Sequence, residues 1–207
     1  MITFDRTPLL FVVSAPSGAG KTTLCDRLLH AFSDITYSVS CTTRPPRVGE
    51  RDGQHYHFMS PPEFQKRVAA DAFLEHAEVH GHFYGTLKET VHTAMSRGYD
   101  VLMDIDVQGA MQVRQQLRAD ASLSVSYVDV FIAPPSVEDL QLRLWGRGKD
   151  DDSVIRRRLE RATDEMLHWV DYQYVVLNDR LDESFDMLRS IVLAERQCTK
   201  RLRVKKT

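Results

Sequence analysis

The stretch Leu9-Leu10-Phe11-Val12-Val13-Ser14-Ala15-Pro16-Ser17-Gly18-Ala19-Gly20-Lys21-Thr22-Thr23 leaves this chain few folds to choose from. Five consecutive apolar residues, a turn of small residues, and then Gly20-Lys21-Thr22 opening a segment with Leu24, Leu28, Leu29 and Phe32 at helical spacing give the order strand, phosphate loop, helix. Backbone N–H groups can wrap phosphate oxygens only where bulky side chains are missing, and the unpaired donors of a helix start add positive potential. Ala15, Pro16, Ser17, Gly18, Ala19, Gly20, Lys21, Thr22 and Thr23 are therefore candidate ligands of a nucleotide's phosphates. Lys21 would reach the terminal phosphates and the Thr22 hydroxyl would ligate Mg²⁺. Ala15 stands where the G-x-x-x-x-G-K-[ST] pattern begins with glycine, so a positive φ there would strain it. The bland alternative is a Gly-rich turn with an incidental lysine; the flanking strand and helix weigh against it.

A chain of 207 residues can bury one well-formed domain with room for insertions. The net charge of −2 gives no support to a broad nucleic-acid or membrane-surface role. The basic tail (Lys200, Arg201, Arg203, Lys205, Lys206) reads as a solvated terminus. Cys25, Cys41 and Cys198 are odd in number and widely spaced, which fits a reducing compartment. Met1 to Arg6 shows no leader pattern and no run approaches membrane-spanning length, so the expected location is cytoplasmic.

Downstream, strands and helices alternate. Ile35 to Ser40 reads as a strand, and residues 41 to 53 as a functional loop pinned by Pro45 and Pro46. A strand over His55 to Met59, a helix capped by Ser60, two short strands turning at Gly81, and a helix opened by a Thr86-x-x-Glu89 capping box and stopped at Gly98 make residues 41–98 a small α/β insertion. Tyr99 to Asp104 is a buried-type strand, Gln108 to Leu117 a helix, Val125 to Ala133 a strand, and Ser136 caps a helix through Leu144. A charged Gly-rich link, an Arg-rich helix from Ser153 to His168, a strand over Tyr174 to Leu177 and a last helix complete the chain. Such alternation predicts a parallel sheet covered on both faces.

A phosphate loop needs a carboxylate at the end of a neighbouring strand, and Asp104, with Asp106 two residues on, supplies it. Asp106 also suits the cap of the following helix. Arg44 and Arg47 in the proline-pinned loop, and Arg143, Arg147, Arg157 and Arg158 around the Gly-rich link, could surround a transferring phosphoryl group with positive charge; Arg156 and Arg161 read as a solvated helix face.

Taken in order, Ser38-Val39-Ser40-Cys41-Thr42-Thr43-Arg44-Pro45-Pro46-Arg47-Val48-Gly49-Glu50, Gly53-Gln54-His55-Tyr56, Phe73-Leu74-Glu75, Tyr84-Gly85-Thr86, Asp104-Ile105-Asp106-Val107-Gln108-Gly109, Gly146-Arg147-Gly148 and Asn178-Asp179 resemble the bacterial guanylate kinase family from about Leu9 to about Arg196. The resemblance implies an α/β three-layer P-loop nucleoside monophosphate kinase fold with a five-stranded parallel core sheet. Its core would comprise residues 1–40, 99–142 and 153–207, with a GMP-binding subdomain at 41–98 and a lid at 143–152. It implies phosphoryl transfer from MgATP to GMP or dGMP, with no nucleic-acid or membrane partner, by a monomer or homodimer. Lys21, Arg44, Arg147 and Arg158 would be catalytic, and Arg147 and Asn178 would join the loop residues around ATP. Arg44, Arg47, Tyr56 and Tyr84 would hold the GMP phosphate, and Ser40, Glu75, Thr86 and Asp106 would read guanine, with Asp104 beside them. Mg²⁺ would fall to Thr22 and Asp104.

The chemistry of the base agrees independently, because guanine presents N1–H and N2–H₂ side by side for one carboxylate and adenine has no such pair. The attacking GMP phosphate is already an anion, so no general base is required. Departures are few: Ala15 in the loop, Thr86 where some relatives carry serine, and Trp145 where a basic residue is frequent. His76, His80 and His82 lack partners at metal-ligand spacing and read as surface or packing histidines. Two rivals stand beside this reading. A monophosphate kinase of other specificity is opposed by Glu75, and a fold-sharing interaction module by the survival of Lys21, Thr22, Arg44, Asp104 and Arg147.

Overall fold

The computed structural model describes residues 2–79, 81–118, 120–145 and 152–205, without the side chains of Ser122, Leu144 and residues 152–157. In chain order the elements are β1 (Phe4–Arg6), β2 (Leu10–Ser14), α1 (Lys21–Ala31), β3 (Ile35–Tyr37), β4 (Cys41–Thr42), β5 (His57–Phe58), α2 (Pro61–Ala69), β6 (Phe73–Val79), β7 (His82–Leu87) and α3 (Lys88–Ser96). There follow β8 (Asp100–Asp104), α4 (Val107–Gln116), α5 (Ala121–Ser126), β9 (Tyr127–Ala133), α6 (Val137–Trp145), α7 (Asp152–Met166), β10 (Tyr174–Leu177), α8 (Leu181–Arg196) and β11 (Leu202–Val204).

The core is the expected five-stranded parallel sheet, ordered β10-β9-β2-β8-β3. Both faces of β2 are buried. Phe11 and Val13 pack with Leu24 and Leu28 of α1 and Leu188 and Val192 of α8, while Leu10 and Val12 meet Val91 of α3, Ala110 and Val113 of α4 and Leu123 of α5. Period-2 alternation inside an all-apolar run thus feeds two helical layers at once. The register sets Val13 opposite Asp104, which carries the end of β8 to the mouth of the loop after β2. Chain order reverses here, β2 lying between β8 and β9, and ligands of open α/β sheets bind at such a place.

The insertion builds its own sheet, β5-β4-β7-β6, over a small core of Cys41, Phe64 and Phe73, with Phe64 stacked on Phe73 and Phe83 at 4.4 and 5.4 Å. Helix α4 joins it to the core: the Gln112 side chain accepts from His76 N–H at 3.0 Å and donates to His76 O at 2.9 Å.

Two expectations need correction, and the condition attached to Ala15 is settled. The Thr86 capping box is not formed, because Thr86 stays extended against Glu75 in the β6–β7 ladder and the helix starts at Lys88 with Leu87 as its cap. The basic tail is exposed at Lys200, Arg203 and Lys205, as expected, but not at Arg201. Arg201 is 0 % exposed, pairs with Glu195 and donates to the Tyr127 carbonyl at 3.2 Å, and β11 pairs antiparallel with β1, two strands the periodicity does not reveal. Ala15 carries no strain, since Asp71 is the only non-glycine residue with positive φ among those described.

Candidate active site

The phosphate loop turns on Gly18 (φ +94°) and Gly20 (φ +90°), conformations that a side chain resists. Ala19 N–H donates to Pro16 O at 3.1 Å, closing the turn. Asn178, just past β10, donates its amide to Ala19 O at 2.6 Å and is itself fixed by its N–H on Ala133 O at 2.7 Å. Arg143 of α6 donates to the Asn178 carbonyl at 2.8 Å, so α6 and the loop share one anchor.

Lys21 opens α1 and spans to β8, pairing with Asp104 and donating to Ile105 O at 2.9 Å. This strand-end carboxylate is thus held where a cationic loop and an incoming cation would both use it. Thr22 is exposed on the first turn of α1.

Beside Asp104 opens a pocket of about 190 Å³ whose lining includes Ser40, Tyr56, Glu75, Tyr84, Asp104 and Asp106. Six of the nine residues expected around GMP therefore line one cavity, where β6 packs on α4 and β7 pairs with β6 and β4. Thr86 stands behind the pocket, buried, with its hydroxyl on Glu75. Arg44 stands at the rim: its guanidinium donates to Glu50 at 2.8 Å, bonds Tyr84, and lies 5.4 Å from the Tyr56 ring centre. The Arg44 guanidinium and the Arg47 N–H beside Glu50 hold its carboxyl down at about 2. The Arg47 side chain is exposed and does not line the cavity.

Glu75 is 7 % exposed. Burial, with the Asp106 charge adding, pushes its carboxyl up to about 7 against the Thr86 hydrogen bond. Asp106 caps α4 through Gly109 N–H at 2.8 Å while also lining the pocket. A Cβ on Gly109 would come within 3.2 Å of Glu75 Oε2, so the glycine of Asp-x-x-Gly leaves room for the acid.

Arg147 lies outside the described residues. Arg158 lies on α7, whose far end faces a second cavity of about 530 Å³ lined by Asp106, Arg161, Glu165 and His168 among others. Arg161, read as part of a solvated face, is exposed but borders this cavity. Glu165 and His55, the latter lining the smaller pocket, escaped sequence reasoning. For His55 the signal was its place beside Tyr56; for Glu165 there was none in the local pattern. Among the described residues no group of three or more His, Cys, Asp or Glu side chains is arranged to hold a metal, and no helix is long and apolar enough to cross a membrane.

Residues 7–195 match the family model described as guanylate kinase. The chain is 48 % identical over 191 residues to a guanylate kinase of Rhizobium etli, covering 92 % of this chain and 84 % of the relative. It is 50 % identical over 185 residues to one of Dechloromonas aromatica, covering 89 % and 88 %. Its structure is similar to the crystal structure of guanylate kinase from Anaplasma phagocytophilum, with a TM-score of 0.74 at 32 % identity over 96 % of this chain and 92 % of the other.

Proposed function

The chain belongs to the guanylate kinase family, whose members move a phosphoryl group from ATP to GMP, and we propose that the residues described above perform that transfer here, giving ADP and GDP, or dGDP from dGMP. One observation carries the assignment of roles: a buried carboxylate, Glu75, faces a pocket that opens beside Asp104, the ion-pair partner of the loop lysine.

Guanine enters with N1–H and N2–H₂ toward Glu75 and the second amino hydrogen within reach of Asp106, while the Ser40 hydroxyl donates to O6. Tyr56 and Tyr84 offer hydroxyl donors, and Arg44 and Arg47 guanidinium forks, to the GMP phosphate. The loop N–H groups and Lys21 take the ATP phosphates, Lys21 exchanging Asp104 for a phosphate oxygen. Arg147 and Arg158 close from the lid side, and Asn178 steadies the loop next to adenine.

Thr22 and Asp104 present hard oxygen donors on neighbouring elements and would be the residues to hold Mg²⁺. When bound, the ion neutralises charge between the phosphates. No proton need be removed from the anionic nucleophile. The protein's work is therefore positioning, charge stabilisation and exclusion of water as subdomain 41–98 and lid 143–152 close on the core. The reading extends to a cytoplasmic enzyme acting without nucleic acid as a monomer or homodimer.

A coupled assay for ADP formation with GMP, AMP, CMP and UMP tests it. GMP should be the preferred acceptor; turnover of AMP at the same efficiency, or of no acceptor, would refute it.

A further inference from the structure

We infer that Gln112 is a positioning residue for guanine recognition: its side-chain amide locks β6 to α4 at His76 and so holds the neighbouring Glu75 carboxylate in the setting, beside Asp106, that the base requires. The inference rests on the reading of Glu75 as the guanine acceptor.

β6 is the last strand of the insertion's sheet and is bonded to β7 on one side only. The free edge of such a strand carries N–H and C=O groups that need partners where another element covers them. At His76 the Gln112 carboxamide supplies both, accepting from the N–H at 3.0 Å and donating to the C=O at 2.9 Å. The amide thus does at one residue what a further strand would do.

His76 directly follows the acid, and its cross-strand partner is Gly85. With both peptide groups of His76 turned to α4, this is the narrow, non-hydrogen-bonded kind of antiparallel pair. Gly85 suits the close approach, since a Cβ there would lie 2.8 Å from Glu75 O and 2.9 Å from His76 Cβ. The β6–β7 ladder shifts register between Phe73 and Glu75, so pairing with β7 leaves the acid beside an irregularity. Gln112 fixes the strand from its other edge, immediately after that irregularity.

Asp106 caps α4, Gly109 leaves the space that Glu75 Oε2 fills, and Gln112 lies three residues beyond Gly109 on the same side of the helix. One helix therefore carries one pocket acid and holds the strand that carries the other. Outward-facing peptide groups recur only at every second residue of a strand, so a one-residue slip would break both Gln112 bonds and turn Glu75 to the opposite face. A fastening that served only to join the insertion to the core could sit anywhere along β6. This one grips the residue next to the acid.

Gln112→Met keeps the length and packing of the side chain and removes both hydrogen bonds. Gln112→Glu keeps the acceptor but sets its second oxygen against the His76 carbonyl. Dissociation constants for GMP and for inosine monophosphate (IMP), which lacks the 2-amino group, are measured by calorimetry in the full chain, with the KM for ATP and thermal melting alongside. Loss of the paired bonds should weaken GMP binding about tenfold in Gln112→Met. IMP offers the two acids fewer donors and should weaken only about twofold, so the preference for GMP should fall about fivefold. The KM for ATP should stay within about twofold of the parent. Gln112→Glu should shift the constants in the same direction and carries the test should the methionine variant not fold. Parent-like constants in either variant, equal weakening of GMP and IMP, a lower Tm with the preference intact, or a KM for ATP raised as far as GMP affinity falls would overturn the inference. An unsubstituted protein that binds GMP and IMP alike would instead refute the parent reading of Glu75 and Asp106.

Discussion

The side-chain amide of Asn178 donates to the Ala19 carbonyl at 2.6 Å and occupies the space that a Cβ on Gly20 would require. Gly20 also holds φ +90°. Gly20→Ala therefore combines backbone strain of about 1–3 kcal/mol with displacement of a buried hydrogen bond. Thermal melting should show a Tm lower by roughly 3–10 °C. Nucleotide affinity should fall with it, since the loop's N–H groups are re-aimed. Adding Asn178→Ala removes the collision and leaves the strain, so the double variant should lose less than the sum. An unchanged Tm in the single variant would contradict the steric account.

Lys21 is tied to Asp104 and the Ile105 carbonyl. Its ammonium is thus preorganised at the strand end where phosphate must lie. Lys21→Ala removes one such charge donor and should lower kcat by roughly 10²- to 10³-fold or more. Near-normal kcat, measured with saturating ATP and GMP, would contradict this role.

The strand, loop and helix and the strand-end carboxylate Asp104 were legible in local periodicity and residue chemistry, whereas the five strands of the sheet and Glu75 were legible only through the family resemblance. Residues whose meaning lies in a distant partner were not. Thr86-x-x-Glu89 satisfies the capping pattern, yet pairing of Thr86 with Glu75 across β6 and β7 holds that residue in the strand. Arg201 looks like one more tail cation until α8 returns Glu195 to it in the interior. Asp106 offered two readings, helix cap and base contact, and the structure gives it the cap and a place in the pocket wall.

Glu75→Gln replaces one acceptor oxygen with an N–H₂ group in a site that is almost closed to solvent. A guanine N–H would then face another donor with no water to intervene. Use of GMP should weaken by about 2 to 5 kcal/mol in kcat/KM, with ATP affinity spared. Unchanged GMP kinetics would mean that guanine is read elsewhere.

The buried Glu75 carboxyl titrates at about 7 in the folded protein against 4.5 for the unperturbed group. Between those values the folded chain keeps a proton that the unfolded chain has released, so stability falls as pH rises through this window, by about 3 kcal/mol in all. Below pH 4.5 the residue is neutral in both states and its contribution no longer changes. Binding runs the opposite way, because two guanine donors need an ionised acceptor. The KM for GMP should drop as pH rises through about 7. The GMP phosphate itself titrates near pH 6 with a similar sign, but it does so equally for Glu75→Gln. The difference between the two profiles isolates the carboxylate. Chemical denaturation and GMP kinetics from pH 5 to 9 should therefore show stability and acceptor affinity moving in opposite directions in the parent protein, with that opposition lost in Glu75→Gln. Parallel profiles in the two proteins would remove Glu75 as the titrating group.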